Sequence, residues 1–292
     1  MGRQLISSAA PAKLNLYLHI TGRRDNGYHE LDSLIAFAEP CDWIVADRAQ
    51  DFLLDLTGPF APALDSPSDD NLVARAARGL ATLAGIEPAA RLALEKNLPV
   101  ASGIGGGSSD AAAALRVLMC LWNIAPESDA LAELALSLGA DVPVCLHGKT
   151  CFVGGIGERC DPAPKLPNCG LVLVNPGVVL ATPEVFRART GGFSASARFT
   201  ETPTDAVALA RFLAVRRNDL EAPALFLAPV IGEVLRALRD LPGCRFARMS
   251  GSGATCFALF DDHVEAESAA RILHEHHGDW WVKPGRLLYS DV

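Results

Sequence analysis

The stretch that most constrains this chain reads Pro-Val-Ala-Ser-Gly-Ile-Gly-Gly-Gly-Ser-Ser-Asp-Ala-Ala-Ala-Ala-Leu over residues 99–115. Glycines at 103, 105, 106 and 107 lead straight into a helical pattern. Four alanines favour helix. Leu115, Leu118, Met119 and Trp122 recur at i, i+3, i+4 and i+7 and so share one face. Ser108 suits the N-cap, where a hydroxyl accepts from an unpaired N–H of the first turn. A flexible loop thus feeds a helix N-terminus, whose free N–H groups and positive dipole end suit an anion. Glycine lets the backbone approach a phosphate with no Cβ in the way. No Lys follows the last glycine, so this is not a Walker A loop, and Ser108 stands where a dinucleotide fingerprint needs its third Gly. The residues alone leave two readings open: a phosphate cradle, or a plain turn before a buried helix. Asp110 complicates the first, because it already sits near the positive end.

The 292 residues allow one large domain or two ordinary ones, and with half of them hydrophobic the chain can bury a sizeable core. A net charge of −8 argues against a nucleic-acid or anionic-membrane partner. A polyphosphate ligand would need a local positive site within a negative whole. The cysteines at 41, 120, 145, 151, 160, 169, 244 and 256 include no C-x-x-C pair, which disfavours zinc. Cys120 and Cys256 read as small buried hydrophobes, and reduced thiols fit a cytoplasmic protein. No signal peptide is expected in residues 1–12, and no 18-residue apolar run suggests a membrane span.

Residues 12–20 alternate cleanly and predict a half-buried strand, with Leu14, Leu16, Leu18 and Ile20 inward and Lys13, Asn15, Tyr17 and His19 on the solvent face. Asn26-Gly27 signals a tight turn that presents Tyr28 and His29 together, either to a flat heterocycle or simply to core and solvent. Further strands are expected over 31–46, 51–57 and 91–98, helices over 71–85 and 128–138, and a loop over 58–70. Asp141 with Pro143 behind it reads first as a helix start. Residues 161–167 look like a linker. The second half predicts strands over 170–175, 245–250, 254–260 and 280–289, helices over 205–215, 229–241 and 263–277, and a mobile surface loop over 191–203. That order suggests an α+β layer.

Three separated stretches then resemble one family, the GHMP small-molecule kinases. They are Pro11-Ala-Lys-Leu-Asn-Leu16 with Gly22-Arg-Arg and Gly27-Tyr-His29, the loop itself, and Ser250-Gly-Ser-Gly-Ala254. Ala140-Asp-Val-Pro143 and Asn218-Asp-Leu-Glu221 also fit, in the right order along nearly the whole chain. Asp25-Asn26 departs from the family's usual Pro-Asp, which alters only the turn.

The resemblance implies a two-domain α+β fold. A ribosomal protein S5 domain 2-like, ATP-binding domain would span 1–160, and a ferredoxin-like domain contributing to the substrate site would span 161–292. Asp141 becomes the catalytic base and Lys13 its partner, since an opposite charge nearby favours the ionised carboxylate. Pro99, Val100, Ala101, Ser102, Gly103, Ile104, Gly105, Gly106, Gly107, Ser108 and Ser109 would cradle ATP. Asn15 and Thr182 would position substrate, and Tyr28, His29 and Phe186 would hold a cytosine ring. The implied reaction is phosphoryl transfer from ATP to the 2-hydroxyl of a cytidine-diphosphate-linked methylerythritol, in the non-mevalonate isoprenoid route. Mg²⁺ would neutralise the phosphates, with no dedicated ligand set visible and only the Ser108 and Ser109 hydroxyls as candidates. Two alternatives stay open: another GHMP kinase of the homoserine or mevalonate type, or a non-catalytic nucleotide-binding regulator.

Overall fold

The structure, a computed structural model, describes residues 5–64 and 71–288. The ends of the chain and residues 65–70 of the loop expected at 58–70 lie outside the described residues, as does the end of the strand expected to reach Tyr289. The chain forms two compact units. One comprises Met1–Ala12, Cys41–Val100 and Gly105–His147; the other comprises Lys13–Pro40, Ala101–Ile104 and Gly148–Val292.

In the first unit, the later part of β2 (His29–Asp47) pairs antiparallel with β4 (Arg91–Glu95), which pairs parallel with β3 (Leu53–Thr57). Helix α1 (Leu72–Ala84) starts where the Asn71 side chain accepts from Val73 N–H and stops at Gly85 in the left-handed region. These are the ends the sequence predicts. Helix α2 (Gly106–Trp122) packs against α1, α3 (Ser128–Leu138) and α4 (Val142–His147). The four alanines at 111–114 are fully buried, and a methyl there lets neighbouring backbones approach closely. The core joins Leu80, Leu92, Leu115 and Leu118.

Three readings of this unit need correction. The α2 helix begins at Gly106 with Gly105 as its N-cap, so Ser108 lies inside the first turn; only a glycine takes the positive φ of 61° at that cap without strain. Helix α3, for which the sequence offers Ser128 as the cap, likewise has its N-cap one residue earlier, at Glu127. Cys120 is exposed, because it faces away from the Leu115–Leu118 side, whereas Cys256 is buried as expected. No disulfide forms among the described residues.

In the second unit, β1 (Ile6–Arg23) supplies residues from Lys13 onward, and the first part of β2 pairs with β5 (Cys151–Gly155), which pairs with β6 (Arg159–Pro162). The expected linker therefore opens as a strand. A four-stranded antiparallel sheet follows, in the order β10 (Trp281–Arg286), β7 (Gly170–Asn175), β9 (Cys256–Phe260), β8 (Phe246–Met249). Helices α8 (Val230–Arg239) and α9 (His263–His276) pack on it. Helices α5 (Thr182–Ala188), α6 (Ala206–Ala214) and α7 (Glu221–Leu227) complete the unit.

Two expectations fail here for one reason, that polar groups are buried against specific partners. Strand β1 is not half-buried: Lys13, Asn15, Tyr17 and His19 are covered as fully as the leucines between them. Tyr17 Oη donates to Asp32 at 3.0 Å, and Ser33 Oγ donates to Tyr17 O at 2.5 Å. The segment 191–203 carries no helix or strand, yet it is tied down. Ser194 N–H donates to Ile20 O at 2.8 Å, and Ala197 N–H to Asp32 at 2.8 Å. The Arg198 guanidinium bridges Asp32 and Asp161 at 2.8 and 2.6 Å, and Phe199 packs between Phe152 and Phe212.

Candidate active site

The glycine-rich loop is built partly in each unit. In the first unit its two ends share one buried anchor. Asp42 on β2 accepts from the N–H groups of Asn97 and Leu98 at 2.5 and 2.8 Å, just ahead of the loop. It also accepts from the Lys96 ammonium, which reaches Asp110 in α2 at 2.7 Å. All three side chains are buried. A Cβ on Gly106 would stand 3.0 Å from Lys96 Nζ, so the ammonium packs close beneath the helix start where residue 106 has no side chain. A cation near the positive helix end is unfavourable by itself; the two carboxylates compensate it. Burial pushes the Asp110 carboxyl up to about 8, Lys96 opposing and Asp42 adding to the rise. Burial pulls Lys96 down, but Asp110 and Asp42 outweigh it and hold the ammonium above its ordinary value. Asp110 therefore turns inward to Lys96, which removes the objection that its charge would repel an anion at the loop.

No side-chain cap closes the start of α2, so its first N–H groups are available at the helix end. Ser109 is buried and donates to Pro11 O at 2.7 Å, a structural role. Ser108 is only half-buried. Asp141 directly precedes α4, and its carbonyl accepts from Cys145 N–H.

In the second unit the middle of the loop seats on the Ser250–Ala254 turn. Ser250 Oγ donates to Gly103 O at 3.0 Å and accepts from Asn15 N–H at 3.1 Å. Thr255 N–H donates to Ser102 O, and Lys13 N–H to Ile104 O. Gly103 has φ of 77°, and a Cβ there would lie 2.6 Å from backbone atoms of Ser250 and Gly253. The polar side chains chain together: Lys13 Nζ donates to Asn15 Oδ1 at 3.0 Å, and Asn15 Nδ2 donates to Ser33 Oγ at 2.8 Å. Thr182 Oγ1 lies 2.8 Å from Ser252 Oγ. Asn218 Nδ2 donates to the carbonyls of Met249 and Gly251, fixing the turn from behind. Sequence reasoning quoted Ser250, Ser252 and Asn218 within motifs but gave them no role; the density of Ser and Gly at 250–253 was the available signal.

The aromatic group forms in part. His29 stacks on Phe186 with ring centroids 5.1 Å apart and planes inclined by 25°. Tyr28 is 59% exposed, and its N–H donates to Asn26 Oδ1, which closes the tight turn. Burial lowers the His29 pKa, and Arg23 and Arg189 add to the effect. Its ring is thus neutral at pH 7, with one nitrogen to donate and one to accept.

A glycine-rich helix start, a buried lysine on a β-strand and a serine–glycine turn define a small-molecule kinase of the GHMP class. The model for the GHMP kinases N terminal domain matches residues 71–149, and that for GHMP kinases C terminal matches 199–279. The chain belongs to this family, and within it to the 4-diphosphocytidyl-2-C-methyl-D-erythritol kinases. It is 54% identical to the curated kinase of that name from Rhodospirillum rubrum, over 97% of this chain and 93% of the relative. To that of Granulibacter bethesdensis it is 54% identical, over 92% and 90%. A crystal structure of 4-(cytidine 5'-diphospho)-2C-methyl-D-erythritol kinase superposes with a TM-score of 0.77 at 36% identity, covering 97% of this chain and 99% of the other. A homoserine kinase from Cytophaga hutchinsonii shares the fold at 17% identity and a TM-score of 0.75, over 98% and 95%. Among the described residues no helix is long and apolar enough to cross a membrane.

Proposed function

We propose that this protein transfers the γ-phosphate of ATP to the 2-hydroxyl of 4-diphosphocytidyl-2-C-methyl-D-erythritol, in the non-mevalonate isoprenoid route. The observation that carries this is the 54% identity to kinases of that name over nearly the full length of both chains. The His29–Phe186 stack supports the base specificity. A cytosine entering there exchanges ring–ring contact for ring–base contact, and base stacking contributes about 1–3 kcal/mol.

In this reading the loop from Pro99 to Ser109 holds the ATP phosphates with backbone N–H groups, at the positive end of α2. The substrate hydroxyl oxygen attacks the γ-phosphorus, the bond from that phosphorus to the β–γ bridging oxygen breaks, and ADP leaves. Asp141 takes the hydroxyl proton. Lys13, held by Asn15, stabilises charge on the transferring phosphoryl group, since such transfer depends on positioning and charge stabilisation. Asn15 and Thr182 orient the substrate, while Tyr28, His29 and Phe186 bind the base.

No cluster of three His, Cys, Asp or Glu side chains suited to a metal ion occurs among the described residues. Mg²⁺ fits this protein as an ion carried by the nucleotide phosphates, whose charge it would neutralise. Of the two candidate hydroxyls, Ser108 is the one this reading leaves for it, because Ser109 is committed to Pro11. The reading keeps 1–160 as the nucleotide-binding domain and 161–292 as the substrate-contributing domain. Its partners are small molecules, with neither nucleic acid nor membrane, and its compartment is the cytoplasm, where both substrates would be met.

The test is a coupled ADP-release assay with the cytidine compound, methylerythritol phosphate without the cytidine, homoserine and mevalonate. Turnover is expected with the first alone. Comparable kcat/KM for the cytidine-free compound or mevalonate would overturn the assignment, and no ADP release with any of the alcohols would favour a regulator.

A further inference from the structure

The substrate proposed above joins its cytosine to its reacting hydroxyl through a diphosphate, and nothing yet described receives those two charged groups. The chain as a whole is negative, at −8. Several arginines of the second unit are already paired with carboxylates: Arg24 with Glu30 and Glu158, Arg159 with Asp161, and Arg198 with Asp32 and Asp161. Of these side chains, Arg24, Arg159 and Arg198 with Glu30, Asp32 and Glu158 line a cavity of about 560 Å³, where their charges compensate one another.

Two guanidiniums outside this pattern are tied by their own bonds to the elements of the His29–Phe186 stack. Arg23, the last residue of β1, folds back over the turn and donates through Nε to Gly27 O at 3.3 Å. Arg189 caps α5 one turn beyond Phe186, whose carbonyl accepts its N–H at 3.3 Å. Its side chain donates to Gly192 O and lies over the Phe193 ring at 5.5 Å. Among the described residues neither guanidinium has a carboxylate partner, so each keeps most of its five donors for another acceptor. They come from the two elements of that stack: Arg23 is bonded to the turn that presents His29, and Arg189 is bonded through its N–H to Phe186; both positive charges disfavour protonation of His29. Planar guanidinium forks match phosphate oxygens in pairs.

We propose that Arg23 and Arg189 form the diphosphate subsite of the substrate, one at each element of the His29–Phe186 stack. This rests on the cytidine-diphosphate reading above. The site therefore discriminates a nucleoside diphosphate from a nucleoside, and it does so independently of the base.

The experiment is isothermal titration of the intact protein with cytidine and with CDP, in low and moderate salt, for the parent and for Arg23→Met, Arg189→Met and Arg189→Lys. The parent is expected to bind CDP at least about tenfold more tightly than cytidine, with an advantage that shrinks as salt rises. Each Met variant should lose about tenfold for CDP and leave cytidine unchanged. Arg189→Lys, which keeps charge without the fork, should fall between them. Arg23 is exposed and Arg189 half-buried, so thermal midpoints should hold. Equal binding of CDP and cytidine by the parent overturns the subsite while leaving base recognition intact. So does a Met variant that keeps the CDP advantage, or one that loses both ligands equally. Failure of the parent to bind cytidine or CDP overturns the base reading as well.

Discussion

The buried triad of Asp42, Lys96 and Asp110 makes a quantitative prediction. Lys96→Met removes the one cation facing two buried carboxylates. Breaking a buried ion pair by removing one partner costs about 3–5 kcal/mol, because the remaining charge is left uncompensated. For a chain of this size that lowers the thermal midpoint by roughly 6–20 °C. Asp110→Asn should behave differently. With Asp110 raised to about 8, the native fold holds a proton that the unfolded chain, at 3.8, has released. Between those values stability falls as pH rises, since the native state binds the extra proton. From pH 6 to 8 this amounts to about 2–3 kcal/mol. Asn mimics the protonated acid, so the variant should cost less than about 1.5 kcal/mol at pH 7 and should lose that pH dependence. The assay is a series of thermal and urea melts at pH 6, 7 and 9 on the parent and both variants. The groups facing Asp110 are Lys96 from the segment after β4 and Asp42 from β2, so Lys96→Met with Asp110→Asn should recover part of the single-variant loss. The reasoning is refuted if Lys96→Met shifts the midpoint by less than about 2 °C, or if Asp110→Asn follows the same pH curve as the parent.

Three further outcomes follow from the site. Gly103→Ala should raise the KM for ATP and lower stability by at least about 1 kcal/mol, because residue 103 needs positive φ and its Cβ would meet backbone 2.6 Å away; steady-state kinetics with ATP varied, and a melt, read both. Asp141→Asn should reduce kcat by roughly 10²–10⁴ with an unchanged melt, and normal turnover would return Asp141 to a helix-start residue. His29→Ala should raise the KM for the cytidine compound more than Tyr28→Ala does, since His29 makes the stack with Phe186 and Tyr28 is mostly exposed, while the KM for ATP holds in both.

Helix α1 shows what a sequence can specify alone: Asn71 and Gly85 bracket its apolar stripe, and each residue acts within one turn of its own position. The same locality made the loop legible, since glycines before an alanine-rich helix define an anion-binding end wherever the fold puts it. The start of α2 lies three residues before the Ser108 cap that the sequence suggests, because Gly105 reaches a positive φ that no side-chain capping rule describes. Strand β1 shows the limit from the other side. Period-two alternation correctly separated Leu14, Leu16, Leu18 and Ile20 from Lys13, Asn15, Tyr17 and His19. It assigned the second set to water because nothing local reveals that Ser33 and Asp32 wait to receive the Asn15 and Tyr17 side chains.

Long-range polar pairing is also why the 191–203 segment looked mobile. It lacks the apolar periodicity that marks an element, yet Asp32 and Asp219 bind it from strands and turns far away in sequence. Asp219 Oδ2 accepts from Ile20 N–H at 2.8 Å and from Ser194 Oγ at 2.5 Å, while Arg216 lies over the rings of Tyr17 and Phe199 at 5.7 and 4.7 Å. These carboxylates are held below the usual range despite their burial, because each accepts several hydrogen bonds that favour the charged form. The segment begins two residues after Arg189 and contains Phe193, so the same buried acids that order it also hold the chain beside those two side chains. A segment without secondary structure can be precise when its backbone N–H groups end on ionised carboxylates in place of a ladder. Protonating Asp32 or Asp219, or replacing either by Asn, would release the segment and should weaken CDP before it weakens ATP.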